Sequence, residues 1–164
     1  MIVYHGSTDV ITNPLVNVGR NNLDFGKGFY VTVLKKQAIA WATRPVNIGK
    51  NKYLNVYELD INEIEAKGYN ILKFKEYGQE WLDFVVANRK GNSHWKEFDL
   101  IEGGIANDRV FNTIELYSTG LITATEALQR LRYYKPTNQI CIINQEIIDR
   151  YLKFTHSISI KKDD

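Results

Sequence analysis

The chain has 164 residues, 44% apolar and 24% charged, an ordinary balance for a globular domain that buries about two-thirds of its unfolded surface. Its 21 Lys and Arg against 19 Asp and Glu leave a net charge of +2, with the cations scattered, so the charge gives no signal for a nucleic-acid partner. The single Cys141 excludes an internal disulfide framework and a multi-thiolate zinc site.

The first five residues carry no basic n-region, and no run reaches the roughly 18 apolar residues of a spanning helix. A cytoplasmic protein without a membrane signal is expected, with export that needs no cleaved signal left open. One domain over residues 1–164 fits the length, with a frayed tail at 161–164.

A short apolar strand opens the chain at Ile2, Val3 and Tyr4, and a polar, turn-rich loop covers residues 17–24. Residues 29–33 read as a strand. A helix over 35–43 follows, with Ala38, Ile39 and Ala42 on one side and Pro45 stopping it. Residues 53–59 read as a strand, and Asp60 with Glu63 starts a short helix through Ala66.

The spacing of Trp81, Leu82, Val85 and Val86 predicts an amphipathic helix over 79–90. A central strand over 98–106 contains Gly103-Gly104, and a helix over 108–117 starts at Asn107 or Asp108. Thr123 and Glu126 form a capping box for a helix over 123–133, with Ala124, Leu128 and Leu131 facing the core. After its first residue, the stretch 139–143 is apolar on both faces, as a covered strand should be. Asn144 caps a helix to Leu152, and 154–160 alternates as a closing strand. Strands and helices mix without strict alternation, so the expected class is α+β.

Two stretches carry chemistry: Tyr4-His5-Gly6-Ser7, and Asp24-Phe25-Gly26-Lys27-Gly28-Phe29-Tyr30. Gly6 bares a backbone donor and acceptor suited to a carboxamide. The His5 imidazole suits a ribose hydroxyl, and the rings of Tyr30 and Trp41 offer flat apolar faces. The combination matches the nicotinamide end of NAD. Taken singly, His5 reads as an ordinary core or surface residue, and Gly26 with Gly28 as a tight turn.

In order and spacing, these stretches closely resemble the signature of the ADP-ribosyltransferase superfamily, above all the branch holding diphtheria toxin and the poly(ADP-ribose) polymerases. The whole chain resembles a small uncharacterised bacterial family within it. The resemblance implies a split core of two packed, largely antiparallel sheets with flanking helices, around an NAD cleft. It implies that His5, Gly6, Ser7, Gly28, Tyr30 and Trp41 bind NAD, with Trp41 as the second stacking ring. Ala38 stands where the polymerases use a serine. Arg20 reads equally as a diphosphate ligand or a solvated loop residue.

The resemblance also implies an acidic residue on a late core strand, and the matching position is Gln139, after Asn138. The triad becomes His5, Tyr30 and Gln139. A unit charge about 4 Å from the anomeric carbon, at an effective dielectric near 20, is worth up to about 4 kcal/mol, or roughly a thousandfold in rate. Glu102 and Glu146 are the alternative carboxylates, each more simply a strand-edge charge or a first-turn acid. Asn107 and Arg109 read as a helix start, or as the lining of an acceptor or NAD loop.

No spacing of His5, His94 and His156 suits a metal, Cys141 reads as a core residue, and Ser7 lacks a nucleophile-elbow context. The expected activity is mono-ADP-ribosyl transfer from NAD, a glycosyl transfer releasing nicotinamide, to a protein or other macromolecule. A bacterial toxin or effector with a cognate antitoxin or neighbouring-gene partner is one setting for it. The alternatives are a catalytically weak NAD- or ADP-ribose-binding module and a slow NAD glycohydrolase.

Overall fold

The apolar opening proves to be the start of a longer strand. In the computed structural model, which describes residues 1–161, β1 runs Ile2–Ser7 and contains His5 and Gly6 rather than ending before them. Of the expected tail, residues 162–164 lie outside the described residues. Strand β2 is short, Phe29–Val31, because the Thr32 hydroxyl turns the chain. It donates to the Asn138 carbonyl at 3.0 Å and accepts the Leu34 N–H at 3.1 Å.

Helix α1, Lys35–Ala42, follows at once, and Pro45–Asn47 forms a 3-10 turn. Then come β3, Tyr53–Leu59, and α2, Ile61–Ala66, whose first turn is held by Asp60 accepting the Glu63 N–H at 3.2 Å. Strand β4, Ile71–Lys73, has three residues, too few for the sequence to betray a period. Helix α3 spans Gln79–Arg89, and a second 3-10 turn, His94–Glu97, precedes β5, Leu100–Gly104.

Helix α4 runs Asp108–Ser118, with the Asn107 side chain accepting the Val110 N–H at 3.2 Å, so Asn107 serves as the cap. Helix α5, Ala124–Leu131, carries the expected Thr123–Glu126 capping box. It stops two residues short of the expected end, and Ala127, not Ala124, joins Leu131 in the core. Strand β6, Asn138–Ile142, helix α6, Gln145–Tyr151, and strand β7, Leu152–Ser159, complete the chain.

The strands form two sheets, β1-β3-β7 and β2-β6-β5-β4, antiparallel apart from the β4–β5 pair. Their inner faces pack together through Val3, Tyr57 and Leu59 on one side and Phe29, Val31, Leu100, Ile140 and Ile142 on the other. Alternation along β2 and β6 turns Tyr30 and Cys141 to the opposite face, onto a second core built on Phe25, Trp81, Val85 and Ile114. Helix α1 covers the outside of the three-stranded sheet through Ala38, against Leu54 and Val56. The architecture is α+β, with two mostly antiparallel sheets and six α-helices among the described residues. No helix there is long and apolar enough to cross a membrane.

Candidate functional site

Among the described residues the two sheets meet edge to edge at one point, the Tyr4–Thr32 bridge, with N···O distances of 2.8 and 3.0 Å. In antiparallel register the next rung would pair Gly6 with Tyr30. That rung is missing, because the His5 ring takes the Tyr30 carbonyl at 2.7 Å. A carbonyl only accepts, so Nδ1 carries the proton and Nε2 is left as an acceptor without a partner among the described residues. Burial lowers the His5 pKa below its usual 6.5, a shift partly offset by the bond to the carbonyl, and the ring is neutral at pH 7. It lies 4.6 Å from the Phe29 ring.

Gly6, two residues after Tyr4, presents its N–H and C=O to the same open edge, and neither finds a hydrogen-bond partner among the described residues. The absence of a side chain at Gly6 serves another purpose than the sequence suggested. A Cβ there would stand 1.7 Å from the Ala38 carbonyl oxygen of α1. Glycine is required by the helix packed on the strand, while the backbone edge stays open.

Tyr30 is held by its hydroxyl, which donates to the Gly26 carbonyl at 2.7 Å and accepts the Phe25 N–H at 3.1 Å. Burial, with Cys141 beside it, raises its pKa well above 10. The turn is shaped by two glycines. Gly26 has φ +80° and lies under the Trp95 indole, while a Cβ on Gly28 would meet the Ile142 carbonyl oxygen at 2.5 Å. Asp24, at the start of the turn, is gripped from α3. Its carboxylate pairs with Arg89 at 2.7 Å, and its carbonyl accepts from Asn88 at 2.9 Å. Sequence reasoning missed Trp95, Asn88 and Arg89 in this role; the one signal was a basic residue ending a helix whose apolar face was already assigned.

Gln139 lies opposite Gly103 on β6, two residues from Cys141, the cross-strand partner of Tyr30. Tyr30 and Gln139 are therefore diagonal neighbours on one face, about 7–8 Å apart between Cα atoms. Gln139 is 5% exposed, and its amide makes no hydrogen bond among the described residues. Cys141 is buried in the core, its thiol pushed up to about 12 by burial, as a packing residue and not a nucleophile.

The remaining expected residues are more dispersed. The Ser7 hydroxyl is already spent, donating to the Asp9 carbonyl at 2.6 Å and accepting the Asp9 N–H at 3.1 Å and the Asn55 amide of β3 at 3.3 Å. Trp41 is half-buried in the last turn of α1 and makes no ring contact with Tyr30. Arg20 is exposed, one residue after Gly19, which packs against Gly28. Glu102 faces away from Gln139, paired in register with Lys73 and 3.8 Å from its ammonium. Glu146 is at the surface, 3.1 Å from Arg150. A cavity of about 580 Å³ beside α3, lined by Phe74, Phe84, His94 and Phe98, contains none of these groups. Among the described residues no cluster of three or more His, Cys, Asp or Glu could hold a metal ion.

The site thus belongs to an α+β protein whose two sheets part at a histidine, leaving a backbone edge open in the gap. Residues 1–154 match the family described as "Protein of unknown function (DUF3990)", and the chain belongs to that family. No curated protein and no solved structure matches it.

Proposed function

We propose that this chain is an ADP-ribosyltransferase-type domain over residues 1–164 that binds NAD at the gap between β1 and β2 and transfers ADP-ribose to a macromolecule. The observation that carries the reading is the missing rung. Two contacts that a nicotinamide riboside needs have an unspent group, the Gly6 N–H and C=O for the carboxamide and the His5 Nε2 for a ribose hydroxyl. Tyr30, half-buried with one side on the second core, would offer its remaining face to the ring. Trp41 would close over the ring only after moving, and Arg20 would reach the diphosphate from its loop. Ser7 acts by shaping the loop.

The reaction breaks the bond between the anomeric carbon and the nicotinamide nitrogen. Nicotinamide leaves with the electron pair, the acceptor nucleophile adds to that carbon, and the acceptor's proton passes to solvent. His5 and Tyr30 bind and orient the substrate. Gln139 holds a ribose hydroxyl but brings no charge to the cation that grows in the transition state.

A second reading, an NAD- or ADP-ribose-binding module or slow glycohydrolase with water as acceptor, is favoured by one observation. Glu102 is turned to the opposite face and Glu146 lies at the surface, so neither replaces the charge that Gln139 lacks. Incubation with labelled NAD in cell lysate decides between them. Transfer is expected as label on a macromolecule with equimolar free nicotinamide. Nicotinamide without label marks the glycohydrolase, and calorimetric binding with neither marks the module. No binding at millimolar NAD overturns the proposal.

A further inference from the structure

The stretch Arg130-Leu131-Arg132-Tyr133-Tyr134-Lys135 interleaves cations with rings, a local pattern that a net charge of +2 averages away. Leu131 is buried and anchors the end of α5, while Tyr133, 87% exposed, is the most exposed large apolar side chain among the described residues. A ring this exposed has a face free to stack on a partner from solution.

Tyr133 and Tyr134 line a groove of about 530 Å³ between α4 and α5, together with Arg109, Gln129, Arg130 and Glu126. The one carboxylate in that set is already engaged. Glu126 accepts from the Thr123 N–H at 2.7 Å and the Thr123 hydroxyl at 3.0 Å within its capping box. The side chains of Arg109, Arg132 and Lys135 make no ion pair or hydrogen bond among the described residues.

The groove's position adds a second argument. The chain leaving Tyr134 reaches Thr137, whose carbonyl accepts the Ile105 N–H at 2.8 Å, and then enters β6 at Asn138, opposite Gly104. The groove therefore opens at the end of the four-stranded sheet that carries Gln139.

We propose that the α4–α5 groove binds a single-stranded nucleic acid, with a base stacked on Tyr133 and flanking phosphates on Arg109 and Arg130. Stacking needs a ring face free of its own protein, which Tyr133 offers, and every base has a face to give it. Arg109, Arg132 and Lys135 have no carboxylate partner among the described residues, while Arg130 shares its field with Glu126. Such cations neutralise phosphates and release condensed counterions, which supplies the rest of the affinity. A duplex keeps its bases inside and would leave Tyr133 uncovered. The inference stands apart from the NAD reading, because the groove shares no residue with the gap between β1 and β2.

The test is fluorescence anisotropy of labelled 12-nucleotide single-stranded RNA and DNA, with a duplex and heparin alongside, across a salt series and without NAD. Binding is expected to both single strands and to be weaker for the duplex. Tyr133→Ala should weaken it roughly 5- to 150-fold, the range found when a stacking ring is removed. Arg109→Gln and Arg130→Gln should each flatten the log–log salt slope by about 0.7. All three side chains are solvent-facing, and unchanged melting curves will show that the fold is intact. RNA bound more tightly than DNA, or the reverse, both support the proposal and tell which strand is preferred. No binding at about 50 mM salt overturns it. So do duplex or heparin binding as tight as single-strand binding, an unaffected Tyr133→Ala variant, and displacement by an acidic peptide at equal charge.

Discussion

In the proposed NAD site Gln139 would take the place where a carboxylate does most for a developing cation, and its amide has no hydrogen-bond partner among the described residues. Gln139→Glu should leave NAD affinity nearly unchanged and raise nicotinamide release by up to roughly a thousandfold, because the added charge acts mainly on the transition state. Burial raises the pKa of such a carboxyl, so the gain should grow as pH rises from about 5 to 8. Nicotinamide release read by chromatography across that range checks both points; a variant no faster than the wild type would remove Gln139 from the reaction.

His5 latches the strands through Nδ1, and the proposed NAD site would give it a second task, binding through Nε2. His5→Ala should weaken NAD roughly 2- to 12-fold for one lost hydrogen bond, and destabilise by about 1–3 kcal/mol because the Tyr30 carbonyl loses its donor. Its folded pKa is lowered, so the unfolded chain takes up a proton at higher pH than the folded one. Stability therefore falls as pH drops through about 6.5. Urea denaturation of wild type and His5→Ala at about pH 7.5 and 5.5 should show that slope reduced in the variant.

Among the elements, α1 has its placement enforced by a single missing atom. Gly6→Ala would drive a methyl carbon into the Ala38 carbonyl. Overpacking of this kind costs about 1–3 kcal/mol, which for a chain of this size lowers the melting temperature by about 3–10 °C. Calorimetry will measure it, and a melting point unchanged within 1 °C would mean that α1 is free to shift.

Most elements were legible because their signals are local. The Asp60 and Thr123 caps and the apolar spacing of Trp81, Leu82, Val85 and Val86 need no distant partner to be read. Strand β4 and the turn at His94 were not legible, since three or four residues carry no period and both exist only through contacts elsewhere, β4 through its parallel partner β5. The candidate site divides in the same way. His5, Gly6, Tyr30 and the glycine turn stood out as motifs, whereas Trp95, Asn88 and Arg89 reach that turn from far along the chain. The packing role of Gly6 was also hidden, because a sequence shows that a side chain is missing but not which neighbour fills the space.

At the scale of the whole molecule, the three-stranded and four-stranded sheets are stitched by one rung and then separated by an imidazole. Any small molecule that offers one acceptor and one donor to the Gly6 edge becomes, in hydrogen-bonding terms, a residue of a strand that the chain does not encode. Seven strands would then share a continuous polar seam through the guest. Its affinity is then folding free energy for both halves at once, about 2.7 kcal/mol at one hundred times its dissociation constant. A primary amide on an aromatic ring should therefore raise the melting temperature by about 5–11 °C at that concentration. It should also slow amide exchange on both banks of the gap, at residues 4–7 and 29–32. The corresponding carboxylic acid, which lacks the donor, should do neither. Protection confined to one bank would mean that the two sheets open and close independently of what lies between them.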